Sequence, residues 1–237
     1  MTALKQWAKA FLYGGTNRFC VVCGHSARLF RTYGTVPRKD AICPFCGAFE
    51  RHRLAMHFLR THTDLFDGLP RRILHVAPEA AFEAIFRRVA GAGYLSADLL
   101  RDDVMERMDI TDIHHPDNSF DVIYCSHVLE HVSDDRKAMG EFCRVLRPSG
   151  WAMLNVPINA AQTFEDPSIT DPAERERVFG QYDHVRNYGP DYKQRLEEAG
   201  FSVLMSSPAD LLSPSEMERQ GLGGPGAGEI YFCRKAG

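Results

Sequence analysis

The sequence predicts an α/β protein with a doubly wound, mostly parallel sheet behind a small zinc-ribbon module, on three observations. The run Val122-Ile123-Tyr124-Cys125 is short, apolar or aromatic throughout, and bounded by Asp121 and Ser126. Such a run suits a strand covered on both faces. From Arg71 onward, runs of this kind alternate with stretches of helical period, the pattern of βαβ units. Ahead of them, Cys20-x2-Cys23 and Cys43-x2-Cys46 stand nineteen residues apart, within the spacing of a tetrahedral four-thiolate zinc site.

Taken in order, Leu4, Trp7, Ala8, Phe11 and Leu12 recur at helical spacing and predict a helix ending near Gly14-Gly15. Gly24 and Gly47 each follow a cysteine pair, where a permissive backbone closes the knuckle. Residues 49–62 read as a linking helix with Leu54, Phe58 and Leu59 inward. Its His52, His57 and His62 are each turned by roughly 140° from the last, so they form no metal cluster. Strand Ile73–Val76, helix Ala80–Ala90, strand Gly93–Asp98 and a short strand over Met108–Ile110 follow. After the 121–125 strand, Ser133-Asp134-Asp135 places acids over a helix start, and Pro148-Ser149-Gly150 ends that helix. Trp151–Val156 is the next strand. Residues 158–190 are a polar insertion that follows a strand's carboxyl end, with a helix from Thr170-Asp171-Pro172 to Gly180. A helix over Pro190–Ala199, a strand at Phe201–Leu204 and a hairpin partner at Ile230–Cys233 complete the body. The glycine-rich 221–228 leads into a strand and not a helix, which excludes a phosphate loop and leaves a flexible connection. Two domains are expected, 1–66 and 67–237.

The bulk properties are those of a globular protein: 44% hydrophobic and 25% charged residues in 237. No stretch has the ~20 apolar residues of a membrane span, and Lys5 and Lys9 interrupt any secretory core. A cytoplasmic location is expected, where seven cysteines do not build a disulfide framework. Cys125, Cys143 and Cys233 read as core residues. Residues 1–62 carry ten Lys/Arg against Asp40 and Glu50, a net +8, leaving −11 for the rest of a chain whose total is −3. That asymmetry suits either an anionic partner or a solvated surface.

With these pieces in place the chain resembles the class I S-adenosylmethionine-dependent methyltransferases of the type 11 group. The marks are Ser119-Phe120-Asp121 through His131, followed by Arg144-Val145-Leu146-Arg147-Pro148-Ser149-Gly150-Trp151. The resemblance covers roughly residues 70–205 and implies a seven-stranded Rossmann-like sheet. It also implies that Asp98 and Leu99 meet the adenosine ribose, nineteen residues after Glu79, as in dinucleotide folds. Asp109 and Ile110 would meet the adenine, and Cys125 and Ser126 the methionyl end. The family's glycine-rich first turn is replaced by Ala77-Pro78-Glu79, in which Pro78 lacks an amide hydrogen. Glu79 then either accepts from the cofactor's ammonium group or caps the next helix. The chain is also similar to a branch of the family in which this His-Val-Ala-Pro-Glu turn accompanies an N-terminal zinc ribbon and a downstream Asp-His-Val-Arg.

For transfer to an acceptor, His127 is the first candidate base because histidine is the side-chain type suited to taking up a proton near neutral pH. His184 and Tyr188 come next, from the insertion. Arg186 suits a substrate carboxylate or phosphate, or else pairs with Asp183 or Glu165; Glu165 is placed on the substrate side with it. Glu130 and His131 read as packing and capping residues. The expected acceptor is a small molecule with a hydroxyl, carboxyl or amine. RNA, met through the basic zinc-ribbon module, is the alternative; an inactive binding module is a third reading. His127-x2-Glu130-His131 also matches inverted zinc peptidases, but the acids at 133–135 leave too short a helix to brace a metal.

Overall fold

The central sheet owes its place to strands whose side chains have no face turned to water. In the computed structural model, which describes residues 11–236, β1 (Arg18–Phe19) pairs with β2 (Ser26–Ala27) and β3 (Arg31–Tyr33) with β4 (Arg38–Ile42). The body follows with β5 (Ile73–Val76), all four residues buried, then β6 (Tyr94–Asp98), β7 (Glu106–Arg107), β8 (Phe120–Ser126) and β9 (Leu146–Asn155). The insertion contributes β10 (Phe164–Glu165) and β11 (Arg186–Asn187), and the chain closes with β12 (Phe201–Ser206) and β13 (Ile230–Lys235). The sheet runs β12-β13-β9-β8-β5-β6-β7. Strands β7, β6, β5, β8 and β9 pair in parallel, and β13 runs antiparallel to β9. The expected seven-stranded doubly wound sheet is present. β13 pairs with the preceding strand β12, as expected of a hairpin partner, and on its other side with β9.

The alternation of buried runs and helices comes from residues with matching local chemistry. Asp134 accepts the amide of Lys137 and starts the helix Asp135–Val145, whose Ala138, Met139, Phe142 and Val145 pack into the core with Ile123, Cys125 and Leu154. The third short strand sits two residues earlier than expected. Glu106 and Arg107 pair with Ala97 and Asp98, while Asp109 turns away because its Oδ1 takes both the amide and the hydroxyl of Thr111 at 2.8 Å. Met108 and Ile110 remain buried there. Most of the expected N-terminal helix falls on residues 1–10, outside the described residues; residues 11–13 are helical. No helix of the described residues is long and apolar enough to cross a membrane.

By compactness the chain divides into two units that do not follow its order. One comprises residues 1–69, 80–85 and 206–230; the other comprises 70–79, 86–205 and 231–237. In the first, Arg53 is fully buried and donates to the carbonyls of Asp40, Ala41, Ala48, Gln220 and Gly221. Its guanidinium also lies over Phe30, 4.4 Å from the ring centre. The glycine-rich stretch is therefore not a loose connection. Leu222 and Ala227 are buried, and a Cβ on Gly226 would come 2.6 Å from both Arg38 and Glu50. Gly221 and Gly226 serve close approach, which composition alone does not reveal.

In the second unit the insertion folds as expected in outline. Asp171 caps the helix Pro172–Phe179, and Gly180 ends it in the left-handed region at φ 84°. What holds the insertion is Arg186, 2% exposed. Its Nη1 donates to the carbonyls of Leu129, at 2.7 Å, and Val132, and its Nη2 to Ser133 at 2.9 Å. Its Nε pairs with Glu165 at 2.8 Å. Arg195 binds the other oxygen of Glu165 at 2.8 Å and Asp135 at 3.2 Å, and the Tyr188 hydroxyl donates to Asp135 at 2.6 Å. Burial alone would raise the Glu165 carboxyl, but Arg195 and Arg186 outweigh it and hold it at about 2.

Removing one member of a buried charge network leaves the others uncompensated. Arg186→Met is expected to lower stability by about 3–5 kcal/mol, read by urea denaturation. Because the Glu165 carboxyl lies below its ordinary value of 4.5 in the folded protein, its contribution is complete above that pH and is lost as pH falls towards about 2. Glu165→Gln should therefore flatten the acid limb of the stability curve in that window.

Candidate active site

Parallel pairing sets the carboxyl ends of the central strands side by side. Val76 is in register with Ala97 on one side and with Cys125 on the other, and Ser126 with Asn155. The next residues are thereby brought to one edge of the sheet: Ala77 and Pro78 after β5, Leu99 after β6, and His127 after β8. Asp98 ends β6 beside them. Two of these have left-handed backbones although neither is glycine, Ala77 at φ 46° and His127 at φ 58°. Each is locked by its amide, Ala77 to the carbonyl of Ala97 and His127 to that of Asn155, both at 2.8 Å. Strained backbone of this kind persists where surrounding structure over-determines it, typically at a functional edge.

Along that edge the groups differ in what they leave available. Asp98 uses Oδ1 to accept the amides of Leu100 and Arg101 at 2.8 and 3.0 Å, and its other oxygen has no partner among the described residues. Leu99 beside it is half exposed. A carboxylate oxygen next to an exposed leucine fits a sugar diol with an aromatic base, so the residues present suit an adenosine-type group. Asp109 follows β7; its bonds from Thr111 hold its carboxyl below the ordinary range. Ile110 is buried and offers less surface than Leu99. Glu79 makes no side-chain cap to the helix Ala80–Ala90, so the capping use is not realised. Its amide instead donates to Nε2 of His75, whose Nδ1 lies 3.0 Å from the Tyr94 hydroxyl. Ser126 and Cys125 are buried, and burial pushes the Cys125 thiol well up, with Glu130 and Glu79 adding to it. Cys125 is therefore a neutral wall and not a nucleophile.

Among the acceptor-side residues, His127 is about one third exposed, and its Nδ1 lies 3.4 Å from Oε1 of the buried Glu130. His184 is half-buried, and burial followed by the neighbouring His131 lowers its affinity for a proton. The two rings meet edge to face at 4.6 Å. The structure does not bring Tyr188, Arg186 and Glu165 to this edge as reacting groups. Tyr188 is fully buried with its hydroxyl pushed far up by burial and committed to Asp135. Arg186 and Glu165 neutralise each other, and the substrate roles expected of them are replaced by that clamp. Glu130 and His131 stand against the insertion, for the Glu130 carbonyl accepts the amide of Val185 at 2.9 Å and Nδ1 of His131 lies 3.2 Å from Asp183. The signal was present in His-x-x-Glu-His and Asp-His, but contact between two segments over fifty residues apart has no local signature. Residues 129–131 form a single 3-10 turn, which rules out the long helix of an inverted zinc peptidase.

In the first unit the four predicted cysteines converge. Cys20 and Cys46 Sγ are 3.6 Å apart, Cys23 and Cys43 Sγ 3.8 Å, and all four sulfurs lie within 4.8 Å of one another. Four sulfurs at about 2.3 Å around one tetrahedral ion stand about 3.8 Å apart. Each knuckle closes through a glycine, Gly24 donating to Cys20 O and Gly47 to Cys43 O, with φ 74° and 79°.

Comparison with known proteins agrees with this geometry. Residues 87–154 match the family described as Methyltransferase domain. Phosphoethanolamine N-methyltransferase 1 of Arabidopsis thaliana is 34% identical over 105 residues, 43% of this chain and 19% of that protein. A ubiquinone/menaquinone biosynthesis C-methyltransferase of Bdellovibrio bacteriovorus is 38% identical over 66 residues, 25% of this chain and 28% of that one. The chain thus spans less than a third of the length of the curated relatives it matches. The structure of an S-adenosylmethionine-dependent methyltransferase from Mesorhizobium loti superposes with a TM-score of 0.54 at 15% identity, covering 77% of this chain and 98% of that one. The edge that gathers Asp98, Ala77 and His127 is accordingly the strand-end edge of a class I methyltransferase fold, and residues 87–154 within it resemble the Methyltransferase domain family.

Proposed function

We propose that the protein is an S-adenosylmethionine-dependent methyltransferase acting on a small-molecule acceptor with a hydroxyl, carboxyl or amine, and that its four cysteines hold a structural zinc ion. The observation that carries this reading is the shared edge at which Asp98, the Ala77 turn and His127 stand beside one another. When bound, the cofactor supplies an electrophilic methyl group. Asp98 would hold the ribose through its open oxygen, Leu99 and Ile110 would flank the adenine near Asp109, and the Ala77-Pro78-Glu79 turn with Cys125 and Ser126 would border the methionyl end. His127 would take the proton of an acceptor that arrives protonated, with Glu130 orienting its ring and balancing the imidazolium. The rest of the work is alignment, which in-line displacement rewards strongly.

The insertion supports a small acceptor. It is pinned by Arg186 onto the Leu129–Ser133 carbonyls, directly after His127, and so walls the acceptor side. The relatives named above act, by their names, on phosphoethanolamine and in quinone biosynthesis. Four thiolates leave a zinc ion no open position, so the ion would staple the first unit and not catalyse.

Asp98→Ala should weaken S-adenosylmethionine binding by about 10–100-fold, the loss of one charge-assisted contact, as measured by calorimetry on a variant whose circular dichroism is unchanged. Cys43→Ser should release the thiolate-bound zinc and melt the first unit, followed by metal analysis and near-ultraviolet dichroism. Incubation with labelled cofactor, followed by mass spectrometry of metabolite pools and of RNA nucleosides, decides the acceptor. Label in RNA alone would overturn the small-molecule reading.

A further inference from the structure

The acceptor side holds buried groups that neither packing nor cofactor binding uses. Glu130 is 1% exposed, and its Oε2 is sealed from solvent with no hydrogen-bond partner among the described residues. Nδ1 of His184 is in the same condition. Native structures seldom leave such atoms unmatched, because each forfeits its hydration without return. These two belong to one cluster. Ligand-type atoms of Glu130, His131 and His184 all lie within 4.8 Å of one another.

We propose that Glu130, His131 and His184 form a second metal site, which binds one divalent transition-metal ion of the zinc or iron(II) kind and leaves a coordination position open towards the acceptor. One carboxylate and two imidazoles are the donor set of open, three-ligand sites, in contrast to the closed four-thiolate cluster. The ligands come from two segments that are tied at this point, for Val185 donates its amide to the carbonyl of Glu130 at 2.9 Å and Arg186 grips the same turn. The surrounding carboxylate and histidine take the places of outer partners. Asp183 lies 3.2 Å from Nδ1 of His131, a pairing that sets the tautomer of a ligating imidazole and leaves the other ring nitrogen its lone pair. His127 lies 3.4 Å from Oε1 of Glu130, which leaves the unpartnered Oε2 as the oxygen available to a metal. The burial that keeps His184 neutral preserves the form that ligates.

What the open position would bind rests on the methyl-transfer reading: an acceptor hydroxyl or carboxylate oxygen, with a hydroxyl's proton passing to His127 as its oxygen coordinates. Binding of the metal itself does not depend on that reading. The test is titration of the metal-stripped full chain with cobalt(II) and with zinc(II). The wild type is expected to take two equivalents per chain, one giving the intense near-ultraviolet thiolate band and one giving only weak visible bands. His184→Ala and His131→Ala should each weaken the second equivalent at least about 100-fold while leaving the thiolate band intact, and Asp183→Asn should weaken it about 10–100-fold. S-adenosylmethionine calorimetry on the same samples reports separately on the methyl-transfer reading and on folding. A wild type that binds one equivalent, or a second equivalent unmoved in both histidine variants, would overturn the site.

Discussion

The alignment of parallel strands across the middle of the sheet is the constraint on which the rest of the structure depends. With Val76 level with Ala97 and Cys125, and Ser126 level with Asn155, the chain must leave four strands at one height. It then has to turn sharply, and at Ala77 and His127 it does so through backbone that L-residues seldom adopt. A shift of one residue in β8 would exchange its two faces. Cys125 would pass to the other covered face, into space shaped for a different side chain, and His127 would lose its hold on Asn155. The ligand-facing edge is therefore a product of pairing as much as of the residues on it.

The second organising interaction is ionic and lies in the insertion. Arg186, Glu165, Asp135, Arg195 and Tyr188 form a connected set in which two cations, two carboxylates and a hydroxyl satisfy one another, buried except at Glu165, which meets solvent. Such a set need not add stability relative to an apolar filling of the same space. It does impose one arrangement, because half-made it would leave a bare charge. That specificity fits its place, where it fixes His184 and Asp183 against the Glu130 turn.

Much of the architecture was legible in the sequence because it is written locally. The buried runs, the Asp134 and Asp171 caps, Gly180 and the cysteine knuckles each depend on residues within a few positions of one another. Asp98 was legible through its position at the end of a strand. What escaped depends on distance along the chain. Arg186 reads as a substrate cation until Leu129 and Ser133 are seen beneath it, and Tyr188 as a reactive hydroxyl until Asp135 is seen against it. The short strand was misplaced by two residues because Thr111 captures Asp109. Residues 221–228 looked loose because the reason for Gly226 is a pair of side chains nearly two hundred residues earlier.

The arginine at the heart of the first unit has an implication for how that unit tolerates change. Arg53 reads only main-chain oxygens, five of them, at Asp40, Ala41, Ala48, Gln220 and Gly221. Of those places Gly221 is fixed, since a Cβ there would come 2.8 Å from the Asp40 carbonyl oxygen, and the Asp40 carboxylate accepts from Arg18 and from the Phe30 amide. Position 53 itself has no latitude either, since a lysine there would bring three hydrogens to five waiting oxygens. Identity is concentrated in Arg53 and in the glycine that lets its fifth oxygen approach, so a change at either is felt by all the segments that meet there.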